Sequence, residues 1–238
     1  MKFFKQGITV LALAAALSPA AAFAQDGGVK VTIGVKAWVH NWSTWFNCTG
    51  GVCSSETGNE TAIIPSVAVR FGNFFVAGDY TPEVEYKFVG ETGTVKKDEW
   101  SVIGGYYLVP QLAIAGGFKR QHQDFRGLGI NFDVNIDIVM LGLQGGAALG
   151  DGGWFMYGNG FFGPGSVSSV QTGNATNDEV FYYSTELGLG YRFTDHLAVT
   201  GGFKYQTLRW EDVSGTAGGG IPGNDLTNGW IFGLSFTF

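Results

Sequence analysis

The sequence predicts an all-β protein, a closed antiparallel up-and-down β-barrel that spans a membrane. Segments in which large apolar residues occupy every second position recur along the chain, and this period places them on one face of a strand. The connections between these segments are alternately long and short. Charged residues make up 14% of the chain, against about 25% in soluble domains. Much of the outer surface is therefore expected to face lipid.

The first segment, residues 1–24, is predicted to be a secretory signal peptide outside the barrel. A positively charged start precedes an apolar run, and Ala22-Phe23-Ala24 provides a cleavage site. The run is shorter than the roughly 20 apolar residues of a membrane-spanning helix, and no later segment approaches that length. We therefore assign residues 25–238 to one barrel domain.

The first three predicted strands have the clearest alternation. Residues 29–40 carry valine, isoleucine or alanine at every odd position, and residues 62–71 follow the same pattern more loosely. A two-residue link leads to residues 74–88, where aromatic and valine side chains lie opposite mainly acidic ones. Pro65 and Pro82 each remove a ladder donor, so bulges or shorter strands are expected there.

The later strands complete a count of ten. Residues 99–109 and 112–119 form a hairpin, whereas residues 136–147 are apolar on both parities, which leaves their facing open. The remaining strands are residues 154–162, 180–193, 197–206 and 226–238. Because of the ambiguous sixth segment and Pro82, eight and twelve strands are also compatible with the pattern.

The connections carry a separate signal. The long ones cover about residues 43–61, 89–98, 120–135, 163–179 and 207–225, and the short ones residues 72–73, 110–111, 149–153 and 194–196. Short turns on one side and long loops on the other are typical of bacterial outer-membrane barrels with even strand numbers. Because closed barrels and helices alone satisfy backbone polar groups in lipid, closure of the sheet is expected.

The chain resembles the small outer-membrane β-barrel proteins of Gram-negative bacteria, a porin-like group that includes the OmpA-like and OmpW-like barrels. The resemblance rests on the signal peptide, the hairpin at residues 106–118, the similar hairpin at residues 190–199 and the terminal strand. The resemblance implies location in the bacterial outer membrane, contact with its lipid and lipopolysaccharide, and a monomeric state. It also implies that the outer-membrane assembly machinery recognises the C-terminal aromatic strand, with Trp230, Phe236 and Phe238 as the signal.

Strand parity predicts a charged barrel lumen, because a charge facing lipid is costly. The predicted lumen-lining residues are Lys30, Lys36, Arg70, Asp79, Glu83, Glu85, Lys87, Glu99, Lys119, Glu186, Arg192 and Lys204. These charges permit two interpretations. They could select solutes in a narrow pore, or they could pair with one another and fill the interior, as in small closed barrels.

Cys48 and Cys53 are the only cysteines and lie in the first long connection. A disulfide is expected in an oxidising compartment. Zinc binding is the rival interpretation, but a structural zinc site needs four ligands, and no histidine lies closer to these cysteines in the sequence than His40.

An enzymatic role is not expected. Three histidines are available, and neither His122 in an outward loop nor His196 in a short turn has a nucleophile implied beside it. We predict no catalytic, cofactor-binding or metal-binding residue, and the formal net charge of −6 makes nucleic acid an unlikely partner.

The function predicted from sequence is passive small-solute passage through a narrow pore or an envelope-structural role. The alternative is a surface adhesin or binding barrel that acts through its long loops, and an outer-membrane hydrolase ranks below both. Tryptophans near the predicted strand ends are interpreted as aromatic girdles at the two membrane interfaces; they are Trp42, Trp45, Trp100, Trp154 and Trp210.

Overall fold

The computed structural model describes residues 28–48, 51–88, 93–126, 132–169, 177–210 and 223–238. Its strands are β1 (Val29–Cys48), β2 (Gly51–Glu56), β3 (Glu60–Phe71), β4 (Phe74–Lys87), β5 (Thr94–Val109), β6 (Leu112–Arg126), β7 (Phe132–Ala148), β8 (Trp154–Ser169), β9 (Asn177–Arg192), β10 (Leu197–Trp210) and β11 (Gly223–Thr237). Among these residues there is no helix long and apolar enough to cross a membrane. The predicted signal peptide lies outside the described residues.

Ten of the strands close into one antiparallel barrel. Each strand from β3 to β10 pairs with the next, β1 pairs with β3, and β11 pairs back with β1. At this closure Ile33 lies opposite Phe236 and Val35 opposite Leu234. The predicted barrel of ten strands is confirmed.

The additional strand β2 is an extension of the wall beyond the predicted strands. It forms a hairpin with the C-terminal end of β1, where Cys48 lies opposite Gly51. We call this end of the barrel, towards the long connections, the upper end. From β2 the chain then continues into β3, which pairs with the lower part of β1. The predicted long connection at residues 43–61 is therefore largely strand.

The two faces of the wall differ as the alternation predicts. The outer face carries exposed large apolar side chains such as Ile33, Val76 and Phe232, whereas Trp38, Phe75 and Ile231 are buried inside. On β7, whose facing the sequence left open, Ile136 and Ile138 point inward and the 63% exposed Val139 points outward.

The strands are longer than lipid requires. They have 12 to 20 residues, apart from the 6 of β2, while about 9 to 11 residues span a bilayer. On the outer face, Trp100 packs on Phe118 with ring centroids 5.4 Å apart. Just beyond them, Arg120 and Asp137 form an outward ion pair at 2.6 Å. The aromatic pair therefore marks the upper edge of the apolar band, and the wall continues above it.

Candidate functional site

The centre of the lumen is an ion cluster around Glu99 of β5. One carboxylate oxygen of Glu99 lies 2.8 Å from the Lys119 ammonium and 3.9 Å from the Lys204 ammonium. The other lies 4.0 Å from the Lys97 ammonium and accepts a 3.1 Å hydrogen bond from the Gln206 amide. Three lysines thus share one carboxylate, with Asp225 as a second acidic neighbour of Lys97.

A second ion pair joins two strands that are not neighbours in the wall. The Lys36 ammonium of β1 donates to both carboxylate oxygens of Glu186 on β9, at 3.2 Å each. Neither strand pairs with the other in the sheet, so this contact crosses the lumen. Asp79 lies near Lys36 as a further negative charge.

Aromatic side chains above the ion cluster narrow the lumen. Trp38 stacks on His40 with ring centroids 4.1 Å apart, and Trp42 meets Tyr86 edge-on at 5.7 Å. The His40 Nδ1 contacts the Trp38 carbonyl oxygen, which can only accept, so in the neutral ring Nε2 accepts a hydrogen bond from the Tyr86 hydroxyl.

Together with Glu99 and Lys97 of the ion cluster and with further buried side chains, these aromatic residues form what we call the sealing layer. Its members are all buried and come from seven of the ten barrel strands: Trp38, His40, Trp42, Tyr86, Val95, Lys97, Glu99, Gln121, Gln123, Ile136, Ile138, Gln206, Leu208, Asp225 and Thr227. Seven of the fifteen are apolar or aromatic and eight are polar, so the layer combines packed rings with buried polar side chains such as the Gln206 amide, which donates to Glu99. Within the described strands it lies in the half of the lumen towards the long connections.

The other half of the lumen holds a cavity, which we call the vestibule, with a volume of about 630 Å³. Its wall includes turn residues Asp195 and His196 as well as Lys30 near the start of β1, so it reaches the short-turn end of the barrel. Its inner end meets the sealing layer at Lys119 and Lys204. Six basic side chains line it: Lys30, Lys36, Arg70, Lys119, Arg192 and Lys204.

Most of the predicted lumen charges lie on the inward face. Besides those six basic residues, Asp79 and Glu186 line the vestibule, and Glu99 is buried in the sealing layer. The side chain of Arg70 lies over the Tyr107 ring at 3.9 Å and donates to the Gly72 carbonyl oxygen.

The sequence predicts that Glu83, Glu85 and Lys87 line the lumen, but they lie on the outer face of the barrel. That part of the prediction is wrong. A register shift between Thr81 and Val84 inserts one extra residue into β4 opposite β5. A bulge of this kind reverses which parity faces inward. Glu83 therefore points outward and pairs with Lys96 at 2.8 Å, whereas the neighbouring Tyr86 enters the lumen.

Several residues of the sealing layer lie outside the predicted strands. Lys97 was placed in the connection at residues 89–98, and Asp225 in that at residues 207–225. Both are buried inside the extended barrel. For Trp38 and His40 a signal was present, since they occupy the inward parity of the first strand.

The tryptophan interpretation is correct only in part. Trp100 and Trp154 lie on the outer face, the latter edge-on to Tyr191 at 5.1 Å between ring centroids. Trp42 is fully buried in the lumen and Trp210 packs against the interior cluster that contains Leu208. These two do not belong to a girdle.

The predicted disulfide falls on side chains outside the described residues. The backbone places Cys48 opposite Gly51 and Cys53 opposite Phe46 on the β1–β2 hairpin. The cysteines are therefore diagonal to each other, with the pair of Asn47 and Val52 between them, and the disulfide stays a prediction.

The two histidines outside the sealing layer each have an acceptor oxygen beside them. His122 lies on the outer face, with Nδ1 3.2 Å from the Asp98 carboxylate and Nε2 4.0 Å from the Asp133 carboxylate. His196 contacts the Thr237 carbonyl oxygen at 2.7 Å. No group of three metal-ligating side chains occurs in the described ranges.

The proposed assembly signal lies on the outer face of β11 and at its end. Trp230 and Phe238 are 61% and 64% exposed, and Phe236 packs edge-on against Phe238 at 4.8 Å. The Phe238 amide donates to the Val31 carbonyl oxygen at 2.8 Å, which fastens the end of the chain to β1.

Comparison with solved structures identifies the fold. No protein-family model and no curated protein matches the chain. The outer-membrane protease OmpT from Escherichia coli is similar at 13% identity over 88% of this chain and 96% of its own, with a TM-score of 0.55. The translocator domain of the autotransporter NalP from Neisseria meningitidis is 14% identical over 98% and 95%, with a TM-score of 0.48.

A further similar structure is the β domain of the Bordetella autotransporter BrkA, 12% identical over 86% of this chain and 98% of its own, with a TM-score of 0.42. At such identities the likeness concerns the fold alone. The chain has the closed, ten-stranded antiparallel barrel fold of the bacterial outer-membrane β-barrel proteins.

Proposed function

We propose that the protein is an envelope-structural barrel of the bacterial outer membrane whose lumen is closed in its resting state. The observation that carries this proposal is the sealing layer, in which Trp42 and Gln121 are fully buried. An ion path through the barrel needs a continuous polar channel, and packed interiors contain few voids larger than a water molecule. The layer therefore favours the structural role over a permanently open narrow pore.

The outer face supports a role in the lipid surface. Above the aromatic pair of Trp100 and Phe118, the wall carries outward cations, among them Arg120 and Lys96. Guanidinium groups bind phosphate in two-pronged geometry. We expect these side chains to exchange their carboxylate partners for lipopolysaccharide phosphates, with the barrel acting as a monomer.

Liposome swelling tests the closed lumen. Liposomes that contain the purified barrel should swell in a small sugar no faster than protein-free liposomes. Replacing both Trp42 and Tyr86 with alanine removes two rings of the sealing layer and should let the sugar pass. Swelling of the wild type at the rate of an open porin would contradict the proposal.

A matched control exists on the opposite face. Tyr80 lies opposite Trp100 in the β4–β5 ladder, and Tyr80 is exposed on the outside of the wall. The double variant Tyr80→Ala and Trp100→Ala loses the same two residue types from the lipid face. It should remain closed, because its lumen is unchanged.

A second candidate is recognition at the cell surface. The extended upper wall carries an outward charged patch that includes the pair of Arg126 and Asp124 at 2.7 Å and the pair of His122 and Asp98. Such a patch fits a charged binding partner. Cells that carry the Arg126→Gln and Lys96→Gln double variant should then attach less to host surfaces than wild-type cells, and equal attachment would count against this candidate.

A further inference from the structure

The vestibule has the volume of a ligand site. Pockets for small molecules commonly measure about 300 to 1,000 Å³, and the vestibule measures about 630 Å³. One end is closed by the sealing layer, and the other reaches the short-turn end of the barrel at Asp195 and His196. In outer-membrane barrels the short turns face the periplasm.

The charge of the vestibule wall is predominantly positive. Its six basic side chains face three carboxylate side chains, Asp79, Glu186 and Asp195. Glu186 is engaged by Lys36 through both oxygens. At the inner end, Lys119 and Lys204 share the carboxylate of Glu99, which Lys97 also approaches, and Lys204 lies opposite Glu186 in the β9–β10 ladder.

Positive charge at the inner end of the vestibule attracts an anion more strongly than the same charge would at the protein surface. Lys119 is buried, and the side chain of Lys204 is only 17% exposed, its ammonium 4.3 Å from the centre of the Trp38 ring. Low-dielectric walls focus the field of such charges into a cleft and concentrate counter-ions there.

The neutral part of the wall supplies hydrogen-bonding groups. Ser66, Ser101 and Ser184 contribute hydroxyl groups, and Gln144 and Asn159 contribute amides. Hydroxyl and amide groups donate to the oxygens of carboxylates and phosphates. Specific small-molecule sites typically combine a few such polar groups with charged side chains.

We propose that the vestibule binds a small multivalent anion, with carboxylate or phosphate groups, that enters from the periplasmic end. The anion lies between the ammonium groups at the inner end and the basic residues nearer the mouth. Binding here requires no passage through the sealing layer, so it is independent of whether the barrel conducts.

Isothermal titration calorimetry of the purified full-length barrel tests the site, in an uncharged detergent at low ionic strength. The probes are citrate, inorganic phosphate and glucose. We expect saturable binding of at least one anion, weakened by added salt, and none of glucose. Citrate alone would identify a carboxylate site, and phosphate alone a phosphate site. Absence of binding by both anions to a barrel that migrates as folded would overturn the proposal.

Three variants locate the binding. Lys204→Gln should weaken anion binding at least about tenfold, while Asp79→Asn should strengthen it, a gain that misfolding cannot produce. Lys87→Gln makes the same charge change on the outer face, where the side chain is 75% exposed, and should have no effect. Arg192→Gln replaces Lys204→Gln if the latter does not fold. Equal affinities in the vestibule variant and in Lys87→Gln would overturn the assignment.

Discussion

Glu99 and Lys119 form a buried ion pair in the middle of the barrel, with 2.8 Å between carboxylate oxygen and ammonium and side-chain exposures of 2% and 4%. Glu99→Gln would leave three lysine ammonium groups around a neutral amide. Removing one partner of a buried pair costs about 3 to 5 kcal/mol because the other charge stays buried. We expect the urea midpoint of unfolding, followed by heat-modifiable gel migration, to fall markedly.

Glu83→Gln is the control for that experiment. Glu83 also pairs with a lysine at 2.8 Å, but on the exposed outer face. Exposed pairs contribute little to stability, so the midpoint should not move. An equal fall of the urea midpoint in both variants would show that the buried ion cluster contributes no more to stability than the exposed pair.

The reversed parity after the β4 bulge predicts which side chain is accessible from outside. In a background with Cys48 and Cys53 replaced by serine, Glu85→Cys should react with a membrane-impermeant maleimide on intact cells, because Glu85 is exposed on the outer face. The adjacent Tyr86→Cys should stay unlabelled, because Tyr86 is 2% exposed inside the lumen. Labelling of Tyr86→Cys but not of Glu85→Cys would contradict the bulge and support the facing predicted from sequence.

The seam that closes the barrel is sensitive to added volume. A Cβ at Gly229 would meet the Val39 carbonyl oxygen and the His40 Cα at far less than contact distance. Gly229→Ala should therefore lower the free energy of unfolding by about 1 to 3 kcal/mol. At Gly201 the nearest atom to such a Cβ is 3.5 Å away, on Phe232, so Gly201→Ala should be close to neutral in the same denaturation measurement.

Phe238 is proposed to be read by the outer-membrane assembly machinery. Its ring is exposed while its amide is bonded to Val31. Phe238→Ser keeps the backbone hydrogen bond and removes the ring, so we expect less barrel in outer-membrane fractions without a large change in the stability of refolded protein. Phe74→Ser, which removes an exposed outward ring from β4, should leave the membrane yield unchanged. A similar loss in both variants would indicate a general need for apolar surface.

The barrel could be predicted from sequence because lipid on one side imposes a period of two. Ile33, Val76 and Phe232 all follow that rule. Above the apolar band the outer face is polar, so the period fades, and the sequence predicts connections where the structure has β2 and the upper ends of strands such as β5 and β10. The charges at Glu83 and Glu85 were misplaced because a bulge reverses parity without changing composition.

The candidate site could be predicted only as a set of inward charges. Lys36, Lys119 and Lys204 follow from parity, but their partners depend on which strands face each other across the lumen. The pairing of Lys36 with Glu186 joins residues 150 positions apart. Lys97 could not be placed in the cluster because its strand was predicted to begin two residues later, at Glu99.

Current across a planar lipid bilayer tests the closed lumen most directly. With purified, folded barrel inserted in molar KCl, the sealing layer predicts a baseline equal to that of the protein-free bilayer, and stepwise conductance only for the Trp42→Ala and Tyr86→Ala double variant. Regular conductance steps from every insertion of the wild type would contradict the closed barrel.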